Sequence, residues 1–94
     1  MGLSLEESLR LTVAALMQAT GDSQRSVAAV LGLTQTQVSR RQSGATSWTL
    51  RDVDVLAGHY EVAALDLLAG PTRACEMLPA ARRRGANAEK GVIR

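Results

Sequence analysis

An all-α fold is predicted by three observations on the amino-acid sequence. Apolar residues recur at three- and four-residue intervals in successive segments, the spacing of one helix face. No run alternates with the period of two that marks a half-buried strand. Aromatic residues are reduced to Trp48 and Tyr60, with no Phe, so a core must be assembled from Leu, Val, Ala and Met. Such side chains suit small packed helices better than stacked sheets. The length of 94 residues provides for one small domain.

The elements follow in order. Ser4 lies three residues before Glu7, the spacing of a capping box, and Leu5, Leu9, Thr12, Val13 and Leu16 then share a face. This helix should end at Thr20-Gly21, with Gly21 in the left-handed cap position. Asp22-Ser23 can cap a second helix with Val27, Val30 and Leu31 on its apolar face and Gly32 as its stop. Thr34 is a good N-cap for a third helix, 35–42, whose main apolar contact is Val38 and which Ser43-Gly44 ends. Residues 45–48 read as a loop. Thr49, three before Asp52, opens a fourth helix on which Leu50, Val53, Leu56 and Ala57 share a face. Residues 61–68 read as a short fifth helix closed by Gly70-Pro71. Residues 72–78 can add a turn or two before Pro79, and disorder is expected from Gly85 onward, where the residues become small and polar. The expected compact unit is 3–70, followed by a basic extension, 71–94.

Composition excludes several classes of function. A single cysteine, Cys75, rules out an internal disulfide framework, and with His59 as the lone histidine a Cys/His zinc module is ruled out too. Cys75 reads as an incidental small apolar residue and His59 as structural. There is no Gly-rich phosphate loop and no clustered acid–base pair, so the chain is not expected to be an enzyme or to hold a metal or cofactor. No apolar run is long enough to span a membrane, and the N-terminus carries Glu6 and Glu7 in place of a basic leader. A cytoplasmic location is the expectation. Charge is unevenly spread. Residues 1–70 carry five arginines against seven acids, whereas residues 71–94 carry six basic residues against two acids. Within the acidic part, residues 23–44 hold Arg25, Arg40 and Arg41 and no acid at all.

That acid-free stretch carries the functional signal. Two short helices can cross steeply only where their contact is thin. Ala28 supplies the small side chain there, and Gly32 permits the positive φ of a tight turn. Val27, Leu31 and Val38 then lock the pair to the core, while Gln35, Thr36, Gln37, Ser39, Arg40 and Arg41 are turned elsewhere. A helix rich in Gln, Ser, Thr and Arg suits a DNA major groove: Gln can pair with adenine, Arg with guanine, and hydroxyls with several base edges or phosphates.

The segment resembles the helix-turn-helix of the phage repressor and Cro (XRE) family of DNA-binding domains, with Gln24, Ala28, Gly32, Val38-Ser39-Arg40 and Gly44 in register. The likeness extends over about residues 5–70 and implies a five-helix bundle of the phage repressor type. By that resemblance, Gln24 is expected to contact phosphate and to buttress the recognition helix. Gln35, Thr36, Ser39 and Arg40 are expected to contact bases, and the loop with Thr46 and Ser47 to approach the DNA backbone. Arg41 stands where an apolar or aromatic residue is usual, and is expected to run its stem along the core and send its head to a phosphate. Gln42 stands where an acid is common. Trp48 is expected to pack. Arg82, Arg83 and Arg84 are either a solvated charge run or auxiliary phosphate contacts. Leu65, Leu67 and Leu68 are core by default, with a dimer seam as the other reading. The function implied is that of a sequence-specific, double-stranded DNA-binding transcriptional regulator, most simply a repressor. It would place helix 35–42 in the major groove and act as a homodimer at least on DNA. A protein-interaction module of antitoxin-like or adaptor type on the same fold is the alternative.

Overall fold

Each of the four N-terminal helices starts where the sequence offers a hydroxyl to its first free N–H groups. In the computed structural model, which describes residues 2–84, α1 runs Leu5–Thr20, α2 Gln24–Leu31, α3 Gln35–Ser43 and α4 Leu50–Tyr60. Their N-caps are Ser4, Ser23, Thr34 and Thr49, and each hydroxyl accepts a backbone N–H three residues on. Such caps stabilise a helix by about 1 kcal/mol each. Two more helices, α5 (Ala64–Leu68) and α6 (Pro71–Glu76), and a 3-10 turn at Ala80–Arg82 complete the described residues, which contain no strand. The disorder expected from Gly85 onward lies outside them.

The C-terminal boundaries differ from the sequence expectation for identifiable reasons. Glu61 has φ 58°, the one non-glycine residue in the left-handed region among those described. It ends α4: the Val62 N–H reaches back to the Ala57 carbonyl (3.0 Å), so α5 begins at Ala64 and not at Glu61. Gly70-Pro71 opens a helix as well as closing one. Gly70 turns with φ 119° and Pro71 occupies the first turn of α6, where its missing N–H costs nothing. The compact unit also extends beyond residue 70. Ala74 and Leu78 are buried in the same core as Val13, Leu16, Val27, Val38, Leu56, Tyr60 and Leu67, and α6 packs along α1. Six helices therefore surround one core, with α1 as the element against which α3, α5 and α6 all lie.

Burial corrects four apolar assignments. Leu5, Val30, Leu50 and Leu65 lie on exposed edges of their helices, with Leu50 76% exposed, so Leu65 is not part of the core that its default reading gave it. Trp48 packs into the core as expected, although its Nε1 finds no hydrogen-bond partner among the described residues. Thr12 is buried on α1 and satisfied, its hydroxyl donating to the Ser8 carbonyl at 2.8 Å.

Candidate nucleic-acid interface

The α2–α3 pair forms a helix-turn-helix. Gly32 takes φ 70°, and the Leu33 N–H closes the turn on the Ala28 carbonyl at 2.9 Å. Ala28 and Leu31 are buried beneath the crossing. On α3 only Val38 is buried; Gln35, Thr36, Gln37, Ser39 and Arg40 all face outward. Gln24, Gln35, Thr36, Ser39 and Arg40 together line a shallow depression of about 290 Å³. The four residues expected to contact bases and the expected buttress thus meet at one place. Arg25 and Arg40 are exposed on these two helices, and no carboxylate arises from either.

Polar side chains hold this face in a definite arrangement. Gln35 Nε2 donates to Gln24 Oε1 at 3.3 Å, and Gln24 Nε2 donates to Gln42 Oε1 at 2.7 Å. Gln42 Nε2 in turn points at Met17 Sδ, 3.3 Å away. Gln37 is occupied locally: its Oε1 accepts the Thr34 N–H at 2.8 Å, completing a capping box. At the far end of α3, Gly44 caps the helix with φ 88°, and the Arg10 guanidinium from α1 lies against it. A cation at this end faces the negative end of the helix dipole. Thr46, half-buried, donates its N–H to the Arg40 carbonyl at 3.1 Å, and Ser47 beside it is exposed.

Arg41 does not send its head outward. Its Nε donates to Asp52 Oδ2 at 2.9 Å, and its side chain is 14% exposed. Asp52 is buried on α4, where the same oxygen accepts the Thr49 N–H at 3.0 Å. A buried carboxylate one helix away therefore claims the guanidinium that the sequence reading assigned to phosphate. The Arg82–Arg84 run is divided in the same way. Arg82 donates to the His59 carbonyl at 2.9 Å and lies 5.9 Å from the Tyr60 ring, so it is a packing residue. Arg83 donates to the Cys75 carbonyl at 2.8 Å. Arg84 alone is placed near the helix-turn-helix: it shares a depression with Met17, Asp22 and Gln42 beside the α1–α2 turn.

That turn is tied to α4 by a second polar cluster. His59 Nε2 lies 2.7 Å from Asp22 Oδ2, and Ser26 donates to the other oxygen at 3.3 Å. Burial opposes charge on Asp22, but its hydrogen bonds, that with His59 foremost, outweigh the burial and hold its carboxyl below the ordinary range. Burial, reinforced by the Asp22 carboxylate, pushes the Tyr60 phenol up. Sequence reasoning identified Asp22 and Asp52 only as capping residues. Their partners, His59 and Arg41, are distant in sequence, and no periodicity announces such pairs.

The BetR domain family model matches residues 6–89, through the helix-turn-helix and the α6 extension. The chain belongs to the BetR domain family. This is a family of helix-turn-helix-like, DNA-binding regulatory domains related to phage repressor regulators. Comparisons with curated proteins and with solved structures found no match. The extent of the BetR match accords with a core that continues past residue 70. No helix among the described residues of this BetR domain is long and apolar enough to cross a membrane.

Proposed function

We propose that this BetR domain is a sequence-specific transcriptional regulator of double-stranded DNA, most simply a cytoplasmic repressor of the XRE type, that binds through α3 and has no enzymatic activity. The observation that carries the reading is the convergence of Gln24, Gln35, Thr36, Ser39 and Arg40 on one open depression along a helix with a single buried residue. Side chains that pair bidentately or donate singly to base edges are thereby presented together on the outward face of α3, as major-groove entry requires. Gln35, Thr36, Ser39 and Arg40 take the base-contacting role. Gln24, Thr46, Ser47 and Arg84 take the phosphate-contacting role. Two copies would read half-sites about 34 Å apart, one helical turn of DNA. Leu65, 80% exposed on α5, and Leu50 at the start of α4 support an apolar contact between copies.

The test is selection from a randomised duplex pool, followed by gel shifts at two salt concentrations. Recovery of a paired site with steep salt dependence is the expected result. Salt-dependent retention without sequence enrichment would replace it with a non-specific binder. Absence of retention at low salt would favour the protein-interaction reading. Within a recovered site, Gln35→Ala and Ser39→Ala should each relax one base position by about 1–3 kcal/mol and leave the others unchanged.

A further inference from the structure

Three glutamines in a row can hydrogen-bond in either direction, because each amide carries a donor at one end and an acceptor at the other. Gln35, Gln24 and Gln42 form such a row, and its direction is set by what lies at its closed end. There Gln42 Nε2 faces Met17 Sδ at 3.3 Å, and Met17 is 7% exposed. A thioether sulfur accepts weakly and donates nothing. Reversing the Gln42 amide would aim its oxygen at the sulfur, acceptor against acceptor, at a half-buried position. The closed end therefore favours Nε2 toward Met17 and leaves Gln42 Oε1 to accept from Gln24 Nε2 at 2.7 Å. Gln24 Oε1 is then left to accept from Gln35 Nε2 at 3.3 Å. At the open end, Gln35 keeps its oxygen and one N–H free, with the nitrogen on the Gln24 side.

We infer that Gln42, oriented by Met17, is a specificity-determining positioning residue: through Gln24 it fixes which way round the Gln35 amide meets a base pair. The inference rests on the reading of α3 as the base-contacting helix. Its consequence follows from the groove itself. Adenine offers an acceptor at N7 beside a donor at N6, so an amide of fixed donor–acceptor order matches A·T in one strand orientation and mismatches T·A. A freely turning amide accommodates both. Gln42 would thus influence base choice from 18 positions along the chain from Gln24, without itself touching a base.

Two measurements on the full chain test this, with Gln42→Leu, Gln42→Glu and Met17→Leu compared with the unaltered protein. The first is side-chain amide relaxation by NMR without DNA. The Gln24 and Gln35 amides should be ordered in the unaltered protein, mobile in Gln42→Leu, and ordered again in Gln42→Glu, whose carboxylate can only accept from Gln24. The second is discrimination among the four base pairs at the position that Gln35→Ala relaxes. Gln42→Leu should lose at least about fivefold of it, within the range of one bidentate base contact. Gln42→Glu should recover it to within about twofold even where its added negative charge weakens binding to all sequences. Met17→Leu, which preserves packing and removes the sulfur, should raise tolerance of T·A. Equal amide mobility in the unaltered protein and Gln42→Leu, or unchanged discrimination in Gln42→Leu, overturns the inference while leaving α3 as the base reader. If Gln35→Ala relaxes no position, the base-reading assignment fails and the inference falls with it.

Discussion

Arg41 and Asp52 provide the sharpest test of how α3 is held, because structure and sequence pattern assign Arg41 opposite roles. Arg41→Met keeps the length of the stem and removes the charge. It leaves Asp52, whose side chain is 4% exposed, with the Thr49 N–H still donating to the oxygen that loses its arginine. Breaking a buried pair on one side costs about 3–5 kcal/mol, and the retained backbone donor places this case near the lower end. Asp52→Ala removes the reciprocal cap bond and frees a guanidinium that has a short route to solvent; about 2 kcal/mol is expected. The double variant strands no charge and should also cost about 2–3 kcal/mol, giving a coupling energy of about 2–3 kcal/mol. For a domain of this size, each kcal/mol moves Tm by about 4–8 °C, so Arg41→Met is readily seen in a thermal or urea unfolding curve followed by circular dichroism. The coupling should survive in about 1 M salt, which screens exposed pairs but not buried ones. A coupling below about 0.5 kcal/mol would reduce the contact to a surface ion pair and refute the reasoning. Unchanged stability together with uniformly weaker DNA binding in Arg41→Met would return the side chain to the phosphate role.

Four further outcomes follow from particular residues. Glu61→Gly should raise stability by about 0.5–1 kcal/mol in urea unfolding, because it relieves a left-handed non-glycine cap, whereas Glu61→Val should lower it. Gly44→Ala should cost about 1–2 kcal/mol by the same measurement, since its φ is 88° and its Cβ would come within 2.5 Å of Arg10 Nη1. Asp22 has a folded pKa below its ordinary value, so its contribution is present above the unfolded pKa of about 3.9 and is lost as pH falls through the lower folded pKa; Asp22→Asn should flatten that acid limb, and an unchanged acid limb would remove Asp22 from the account. Arg84→Ala should weaken binding to all DNA sequences and lower the salt slope by about one, whereas Arg82→Ala should leave the slope alone and lower Tm, since Arg82 is engaged with His59 and Tyr60.

Local chemistry makes much of this fold legible in the sequence. Ser4, Ser23, Thr34 and Thr49 are hydroxyls at positions where a helix needs an acceptor, and Gly21, Gly32 and Gly44 are glycines where the chain needs positive φ. These are signals within four residues of the structure they cause. The α4–α5 junction was not readable, because Glu61 adopts a conformation that its residue type does not advertise. The Thr34–Gln37 capping box was present as a four-residue pattern, and it explains why Gln37 differs from its neighbours on α3. The grouping of Gln24 with Gln35, Thr36, Ser39 and Arg40 was legible through helical spacing and family register together. The destinations of Arg41, Arg82 and Arg83 were not: a long cation can reach water or a carbonyl equally well by sequence, and its partner is decided by which element the fold brings alongside.

The way α3 is anchored bears on how such a helix can serve recognition. Burial is non-directional, and one side chain, Val38, would leave α3 free to roll about its own axis. Hydrogen bonds have preferred angles, so they resist rolling where packing alone does not. Here they come from three other elements: α2 through Gln24 to Gln42, α4 through Asp52 to Arg41, and α1 through Met17 to Gln42. Each acts on α3 residues 41 or 42: Arg41 lies on the side opposite the outward-facing Gln35, Thr36 and Ser39, and Gln42 lies between the buried Val38 and that outward face. A helix that must present polar side chains at fixed angles has little apolar surface to spare for its own attachment. Directional polar contacts on its inner edge resolve that conflict, and they account for Arg41 facing Asp52 at a place where an apolar residue would have held the helix by area alone.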